Sequence, residues 1–204
     1  MKLDELRPSH LPILKAVIEV AKPTNCLECG TGDHSTGLLS KIDDYTGIEH
    51  DPEWADRVRG SFGDIKIITV PLPGHIRYSH YPNAVDRESI SKIKEIYSGL
   101  VRDCELLFID SWACVRYIIL KLFWGRFKIA VLHDTEERRY KYDKIIEKAI
   151  TKGYVHVRCV PRSSKEPWTD IIIAPAERAR GLAENIIKAV DCSKMRFKFK
   201  VYEK

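Results

Sequence analysis

No apolar run in this chain approaches the ~18 residues that cross a bilayer. The longest candidate, 115–127, is broken by Arg116, Lys121 and Arg126, so no membrane partner is expected. Nor is there a second CxxC to accompany Cys26 and Cys29, which removes the four-thiol zinc site. That pair falls in a stretch that reads as a strand, where residues three apart point to opposite faces. Cys26 and Cys29 therefore read as buried structural thiols, and nothing pairs them with Cys104, Cys114, Cys159 or Cys192. The N-terminus lacks the positive and then apolar pattern of a signal peptide: Asp4 and Glu5 stand where it would begin, and a cytoplasmic protein is expected. Internal repeats and low-complexity linkers are absent too, which leaves a single domain over 1–204. Charge of one sign is scarce: the net charge of +5 permits an anionic partner without requiring nucleic acid.

What is present is an alternation of helix and strand signals, the pattern of a mostly parallel sheet with helices on both faces. An amphipathic helix is expected over 8–21, with Leu11, Leu14, Val17 and Ile18 at helical spacing. Strands follow over 25–28, 45–49, 65–70, 105–109 and 128–132, separated by helices over 35–42, 52–59, 86–100 and 113–123. Asp51 and Pro52 read as an N-cap and a proline at the first helical position. A helix over 140–151 precedes a closing pair of strands, 154–160 and 170–174. The resulting expectation is an α/β Rossmann-like three-layer sandwich, a mostly parallel seven-stranded sheet with an antiparallel closing strand. A C-terminal helix and a further edge strand occupy 175–204, the latter with Arg196, Lys198 and Lys200 on one face as edge protection. The insertion 71–103 begins with a stretch, 71–81, too long for an ordinary connection; it reads as a substrate loop or a surface excursion.

Acids and glycines gather at the carboxyl ends of the predicted strands, where open α/β sheets bind ligands. The first strand runs into Leu27-Glu28-Cys29-Gly30-Thr31-Gly32-Asp33-His34-Ser35-Thr36. Glycines there let backbone approach a ligand, and the helix that follows offers N–H groups to an anion. Glu49, at the end of the second strand in Gly47-Ile48-Glu49-His50-Asp51, can accept both hydroxyls of a ribose. Two features favour S-adenosylmethionine over a dinucleotide. The third glycine of a GxGxxG loop is replaced by Ser35, and a carboxylate at position 28 suits a cationic ligand better than a pyrophosphate.

This stretch resembles motif I of class I S-adenosylmethionine-dependent methyltransferases, and Glu49 matches their ribose-binding acid. By order of elements the resemblance spans 25–174. It implies that Glu28, Gly30, Thr31, Gly32, Ser35, Thr36, Glu49 and His50 bind S-adenosylmethionine. The family's further acid after the third strand, near the adenine, has no counterpart in Thr69-Val70-Pro71.

The fourth strand ends in Asp110-Ser111-Trp112 and the fifth in His133-Asp134-Thr135. Amino-methyltransferases acting on adenine and cytosine carry Asn/Asp-Pro-Pro-Tyr after the fourth strand, which Asp110-Ser111-Trp112-Ala113 does not match. Cytosine carbon-5 enzymes need a Pro-Cys nucleophile, and no cysteine here follows a proline. What remains is a base, with or without a metal, acting on a hydroxyl. Asp110, His133 and Asp134 are the candidate catalytic residues and the candidate ligands of a divalent metal. The arrangement is similar to metal-dependent catechol-type O-methyltransferases, with Asp110 on their first Asp, His133 in place of the second and Asp134 on their Asn. It also resembles the plant glucuronoxylan methyltransferases in Asp51-Pro52-Glu53-Trp54 and in His133-Asp134 followed by Arg138-Arg139. The first likeness implies a small-molecule hydroxyl as acceptor and the second a saccharide hydroxyl. Structural readings stand beside these: Asp110 and Asp134 as helix caps, His133 as a core histidine, and Arg116, Arg138 and Arg139 on a solvated helix face rather than holding an acidic substrate. An NAD-type oxidoreductase and a non-catalytic nucleic-acid-binding module that keeps the fold are the alternative functions.

Overall fold

The computed structural model describes residues 9–72, 87–137, 140, 142–162, 166–192 and 196–203. Most of the stretch 71–81 and both Arg138 and Arg139 lie outside them. In chain order the elements are α1 (His10–Ala21), β1 (Asn25–Cys29), α2 (Ser35–Leu39), β2 (Asp44–Glu49), α3 (Pro52–Phe62), β3 (Ile67–Thr69), α4 (Arg87–Ser98) and β4 (Cys104–Ile109). Then come α5 (Ala113–Leu122), β5 (Phe127–His133), α6 (Tyr142–Thr151), β6 (Val155–Pro161), β7 (Thr169–Ile173), α7 (Ala179–Ala189) and β8 (Phe197–Tyr202).

Among the described residues the strands form one eight-stranded sheet in the order β3-β2-β1-β4-β5-β7-β6-β8. The first five run parallel; β7 is antiparallel to β5, β6 to β7 and β8 to β6. The chain builds outward from β1 to β3, then returns to lay β4 on the other side of β1. That reversal opens a crevice at the carboxyl ends of β1 and β4, the position where such sheets hold ligands. The eighth strand is the expected C-terminal edge strand, which joins the seven of the main sheet.

Helices cover both faces, so the central strands are apolar at nearly every position. Along β4, Leu106 and Phe108 enter one core, while Leu107 and Ile109 enter the other. Cys26 and Cys29 split the same way and are fully buried, as their spacing on a strand requires. The core of Leu107 and Ile109 is closed by Ile93, Tyr97, Ile119, Ile145 and Ile146 of α4, α5 and α6, that of Leu106 and Phe108 by Ile13, Leu14, Val17, Ala183 and Ile186 of α1 and α7. Fully burying a Leu, Ile or Phe contributes about 1.5–3 kcal/mol, so these two cores supply the main folding force. The buried stripe of α1 is His10, Ile13, Leu14 and Val17; Leu11 and Ile18 are only half-buried. Asp51 caps α3 as expected, accepting from the Glu53 and Trp54 amides.

The antiparallel side carries a buried polar cluster. Asp170 in β7 accepts from His156 Nε2 at 2.8 Å and from Arg158 Nη2 at 2.9 Å, both in β6. Burial would raise the Asp170 carboxyl, but His156 and Arg158 outweigh it and hold it below the usual carboxylate range. Tyr202 of β8 stacks on the His156 ring at 5.1 Å and covers it. In β8 Phe197 is buried while Lys198 and Lys200 face outward, which keeps this edge from pairing with another chain. Among the described residues no helix is long and apolar enough to cross a membrane.

Candidate active site

A cavity of about 640 Å³ opens at the carboxyl ends of β1, β2, β4 and β5. Its lining includes Gly30, Thr31, Gly32, Ser35, Glu49, Asp110 and His133, so residues from distant parts of the sequence meet in one space. The loop after β1 forms one wall. Gly30 has φ +91°, and a Cβ there would lie 2.4 Å from the Asp110 carbonyl oxygen. The glycine is therefore needed for close packing of this loop on β4 rather than for contact with a ligand. At Gly32 a Cβ would meet only the Ser35 hydroxyl, at 3.7 Å, and this position faces the cavity. Helix α2 has five residues where 35–42 was expected, so its aligned peptide dipole is little more than one turn. Any anion held here is held by the loop amides themselves.

Glu28 does not line the cavity. Its carboxylate is fully buried beneath the loop, where Oε2 accepts from the hydroxyls of Thr36 at 2.8 Å and Tyr45 at 2.5 Å, and Oε1 has no hydrogen-bond partner among the described residues. Burial raises its pKa to about 7, although the surrounding hydroxyls pull the other way. Thr36 also accepts from the Gly32 amide at 2.9 Å, so Glu28 acts on the loop's shape through Thr36. Glu49 does line the cavity. Its carboxylate accepts from the Thr31 amide and hydroxyl at 3.0 and 3.1 Å, and from the His50 and Asp51 amides at 2.7 and 3.0 Å. Burial raises its pKa in spite of those four donors. A ribose hydroxyl would share or replace the Thr31 hydroxyl bond. Beside it, Trp54 lines the cavity with its indole N–H on the Thr31 carbonyl at 2.7 Å, and Arg57 lies over its ring.

His50 lies behind the cavity wall. Its ring is held between the Tyr97 hydroxyl at 2.6 Å and the Ser111 hydroxyl at 3.0 Å, and its pKa is lowered to about 4 by burial. It props Ser111 and Trp112, which do face the cavity, and makes no surface for a ligand.

At the far end, Asp110 and His133 project from β4 and β5. The helix face on which Arg116 was expected to be solvated is instead turned to these strand ends, and Arg116 is 6% exposed. Its guanidinium donates to the Ser111 carbonyl, to the His133 carbonyl at 2.8 Å and to Asp110 Oδ1 at 2.8 Å, and pairs with Asp134 Oδ2 at 3.0 Å. Five fixed donors on a planar fork suit this multiple grip. Asp134 has φ 56°, in the left-handed region, and its other oxygen lies 3.3 Å from His133 Nε2. Burial lowers the His133 pKa to about 4, opposed by Asp134, so the ring is neutral at neutral pH. Burial raises the Asp110 carboxyl, with Arg116 pulling it back down. Asp110 caps no helix: α5 starts after Trp112 and has no side-chain cap.

Asp134 neither lines the cavity nor joins a metal-ligand group with Asp110 and His133. Among the described residues the group whose ligand atoms lie within 4.8 Å of one another is His10, Asp110 and His133. His10, at the start of α1, is not among the site residues expected from the sequence. Its ring sits 4.4 Å from that of His133 and 5.3 Å from that of Phe108, and burial lowers its pKa to about 3. The neighbouring Ser9 hydroxyl donates to the Pro167 carbonyl at 2.7 Å and ties the start of α1 to the loop before β7. A signal was present: extending the buried α1 stripe back one turn lands on a histidine where a core residue would stand.

No protein-family model matches the chain, and no curated protein matches it in sequence. Solved structures do match. A proposed O-methyltransferase from Klebsiella pneumoniae superposes with a TM-score of 0.59 at 12% identity, covering 86% of this chain and 84% of that one. The O-methyltransferase from Bacillus cereus in complex with S-adenosylhomocysteine gives 0.56 at 13% identity, covering 84% of each chain. An rRNA methylase from Streptococcus thermophilus gives 0.55 at 9% identity, covering 84% of this chain and 98% of that one. With the switch between β1 and β4, the parallel half-sheet and the antiparallel β7 in place, this chain has the fold of class I S-adenosylmethionine-dependent methyltransferases.

Proposed function

We propose that the protein is an S-adenosylmethionine-dependent methyltransferase that methylates a hydroxyl oxygen of a small molecule or saccharide. The observation that carries this reading is the meeting of the Gly30–Gly32 loop, Glu49, Asp110 and His133 in one cavity of about 640 Å³. That volume suits a bound small molecule, for which about 300–1,000 Å³ is usual. The open backbone at Gly32 fits a ligand pressed against the loop, and Glu49 at the next strand end fits a ribose beside it.

When bound, S-adenosylmethionine supplies a sulfonium methyl group; the acceptor oxygen bonds to that carbon as the sulfur–carbon bond breaks and S-adenosylhomocysteine leaves. The chain's own residues set the stage for that transfer. Loop amides from Asp33 to Ser35 hold the amino-acid carboxylate, and Glu49 accepts from the ribose hydroxyls. Trp54 and Trp112 supply flat walls for the adenosine. His133, neutral at neutral pH, accepts the acceptor's proton, and Asp134 at 3.3 Å from its Nε2 stabilises the imidazolium that results. Asp110, fixed by Arg116, orients the hydroxyl, and such placement supplies much of the rate in a bimolecular transfer.

Calorimetric titration tests the cofactor assignment. Heat with S-adenosylhomocysteine and none with NAD is the expected outcome. Binding of NAD alone would replace the proposal with an oxidoreductase, and no heat with S-adenosylhomocysteine would end it.

A further inference from the structure

His10 is held in a place that folding alone does not favour. The residue is 4% exposed, it lines the cavity, and among the described residues neither ring nitrogen has a hydrogen-bond partner. Buried polar groups are nearly always paired, and an orphaned one penalises the folded state. Its place on the α1 stripe, against Phe108 and with Ile13, Leu14 and Val17, would suit a leucine. The histidine instead meets the edge of the His133 ring, with the Asp110 carboxylate close by; one ligand atom from each of the three lies within 4.8 Å of the others.

We propose that His10, Asp110 and His133 form a binding site for a divalent transition-metal ion at the acceptor end of the cavity. Two imidazoles and one carboxylate are borderline donors. They suit zinc, cobalt, nickel or iron, whereas magnesium and calcium prefer an all-oxygen shell. Three protein ligands leave positions open toward the cavity, as in catalytic rather than closed structural sites.

The surroundings match. Asp110 gives Oδ1 to Arg116, which fixes its carboxylate plane. His133 has Asp134 3.3 Å from Nε2 and the Thr169 hydroxyl 3.5 Å from Nδ1, so whichever nitrogen ligates, the other has an orienting partner. Arg116 is itself paired to both Asp110 and Asp134, so the three groups together carry one net negative charge and do not repel a cation. His10 thus takes the place expected of Asp134, which pairs with Arg116 and His133 outside the cavity lining. An ion there would lower the pKa of an acceptor hydroxyl so that its proton is lost to solvent, and His133, with its lone pair on the ion, would hold the ion in place of acting as the base. That role rests on the methyl-transfer reading; the ion's binding does not.

Metal-free full-length protein titrated with cobalt(II), read by visible absorption, tests the site. The wild type is expected to take up one equivalent. His10→Leu and His133→Asn should each weaken uptake by ~10-fold or more and change the band, while Asp134→Asn should keep the band's shape, since its side chain orients a ligand without being one. Cobalt bound by His10→Leu with the wild-type spectrum and affinity would overturn the proposal, as would no uptake by the wild type at tenfold excess. Should His10→Leu fail to fold, His10→Gln serves the same comparison. Wild-type protein titrated in parallel with S-adenosylhomocysteine separates the two readings. Cobalt uptake without nucleoside binding keeps the site and removes its assigned role; nucleoside binding without cobalt uptake removes the site and leaves the methyl-transfer reading standing.

Discussion

Burial lifts the Glu28 carboxyl to about 7 from an ordinary value of 4.5, so the folded chain holds that proton more tightly than the unfolded one. For a raised carboxyl the sign is unambiguous: its contribution is fully present below the unfolded pKa and is lost as pH rises through the folded one. Glu28→Gln keeps an acceptor for Thr36 and Tyr45 and has no proton to lose. Urea unfolding at a series of pH values should show the wild type losing up to about 3 kcal/mol relative to Glu28→Gln between pH 4.5 and 7; parallel curves would contradict the assignment. The two loop glycines make a contrasting pair. Gly30→Ala places a Cβ 2.4 Å from a backbone oxygen at φ +91°, so it should destabilise the fold in thermal melts by more than the ~1 kcal/mol of an average substitution. Gly32→Ala meets only the Ser35 hydroxyl at 3.7 Å, so it should fold normally and bind S-adenosylhomocysteine at least several-fold more weakly. A normal melt for Gly30→Ala, or full affinity for Gly32→Ala, would reverse these roles. At this scale the sequence made Glu49 legible, because a strand end and its acid are local. It could not show that Glu28 turns inward or that His50 is sealed behind Ser111, since both depend on the packing of Tyr45, Tyr97 and Trp112 from distant segments. Arg116 was misplaced for the same reason: periodicity finds a helix, but not which strand ends its first turn faces.

Among the elements, the parallel strands were readable because burial on both faces makes them continuous apolar runs between turn residues. Their ends were less so. The run at 65–70 pairs with β2 only over Ile67–Thr69, and α2 stops at Leu39. The antiparallel side depends on a charge cluster that no single-strand pattern reveals. Arg158 and Asp170 are direct cross-strand partners in β6 and β7, and His156 completes the cluster under Tyr202. Removing the central carboxylate leaves a buried imidazole without its acceptor and a half-buried guanidinium with only the Asp143 carboxylate, 3.7 Å away. Asp170→Ala should therefore lower unfolding free energy by about 3–5 kcal/mol in urea titrations. A loss below about 1 kcal/mol would mean that the sheet, and not this cluster, holds the closing strands.

Over the whole molecule, function follows from one topological event, the return of the chain across β1 to form β4. It brings the loop after β1, the acid after β2 and the strand ends of β4 and β5 to a common rim. The order of elements made this rim predictable. The entry of α1 was not, because His10 and Asp110 are 100 residues apart and meet only when α1 packs across the β4 and β5 ends. The most direct test is a crystal structure with S-adenosylhomocysteine bound. The ribose is expected against Glu49, the amino-acid carboxylate at the Asp33–Ser35 amides and the sulfur facing Asp110 and His133. A ligand seated elsewhere, or one whose ribose avoids Glu49, would contradict that placement.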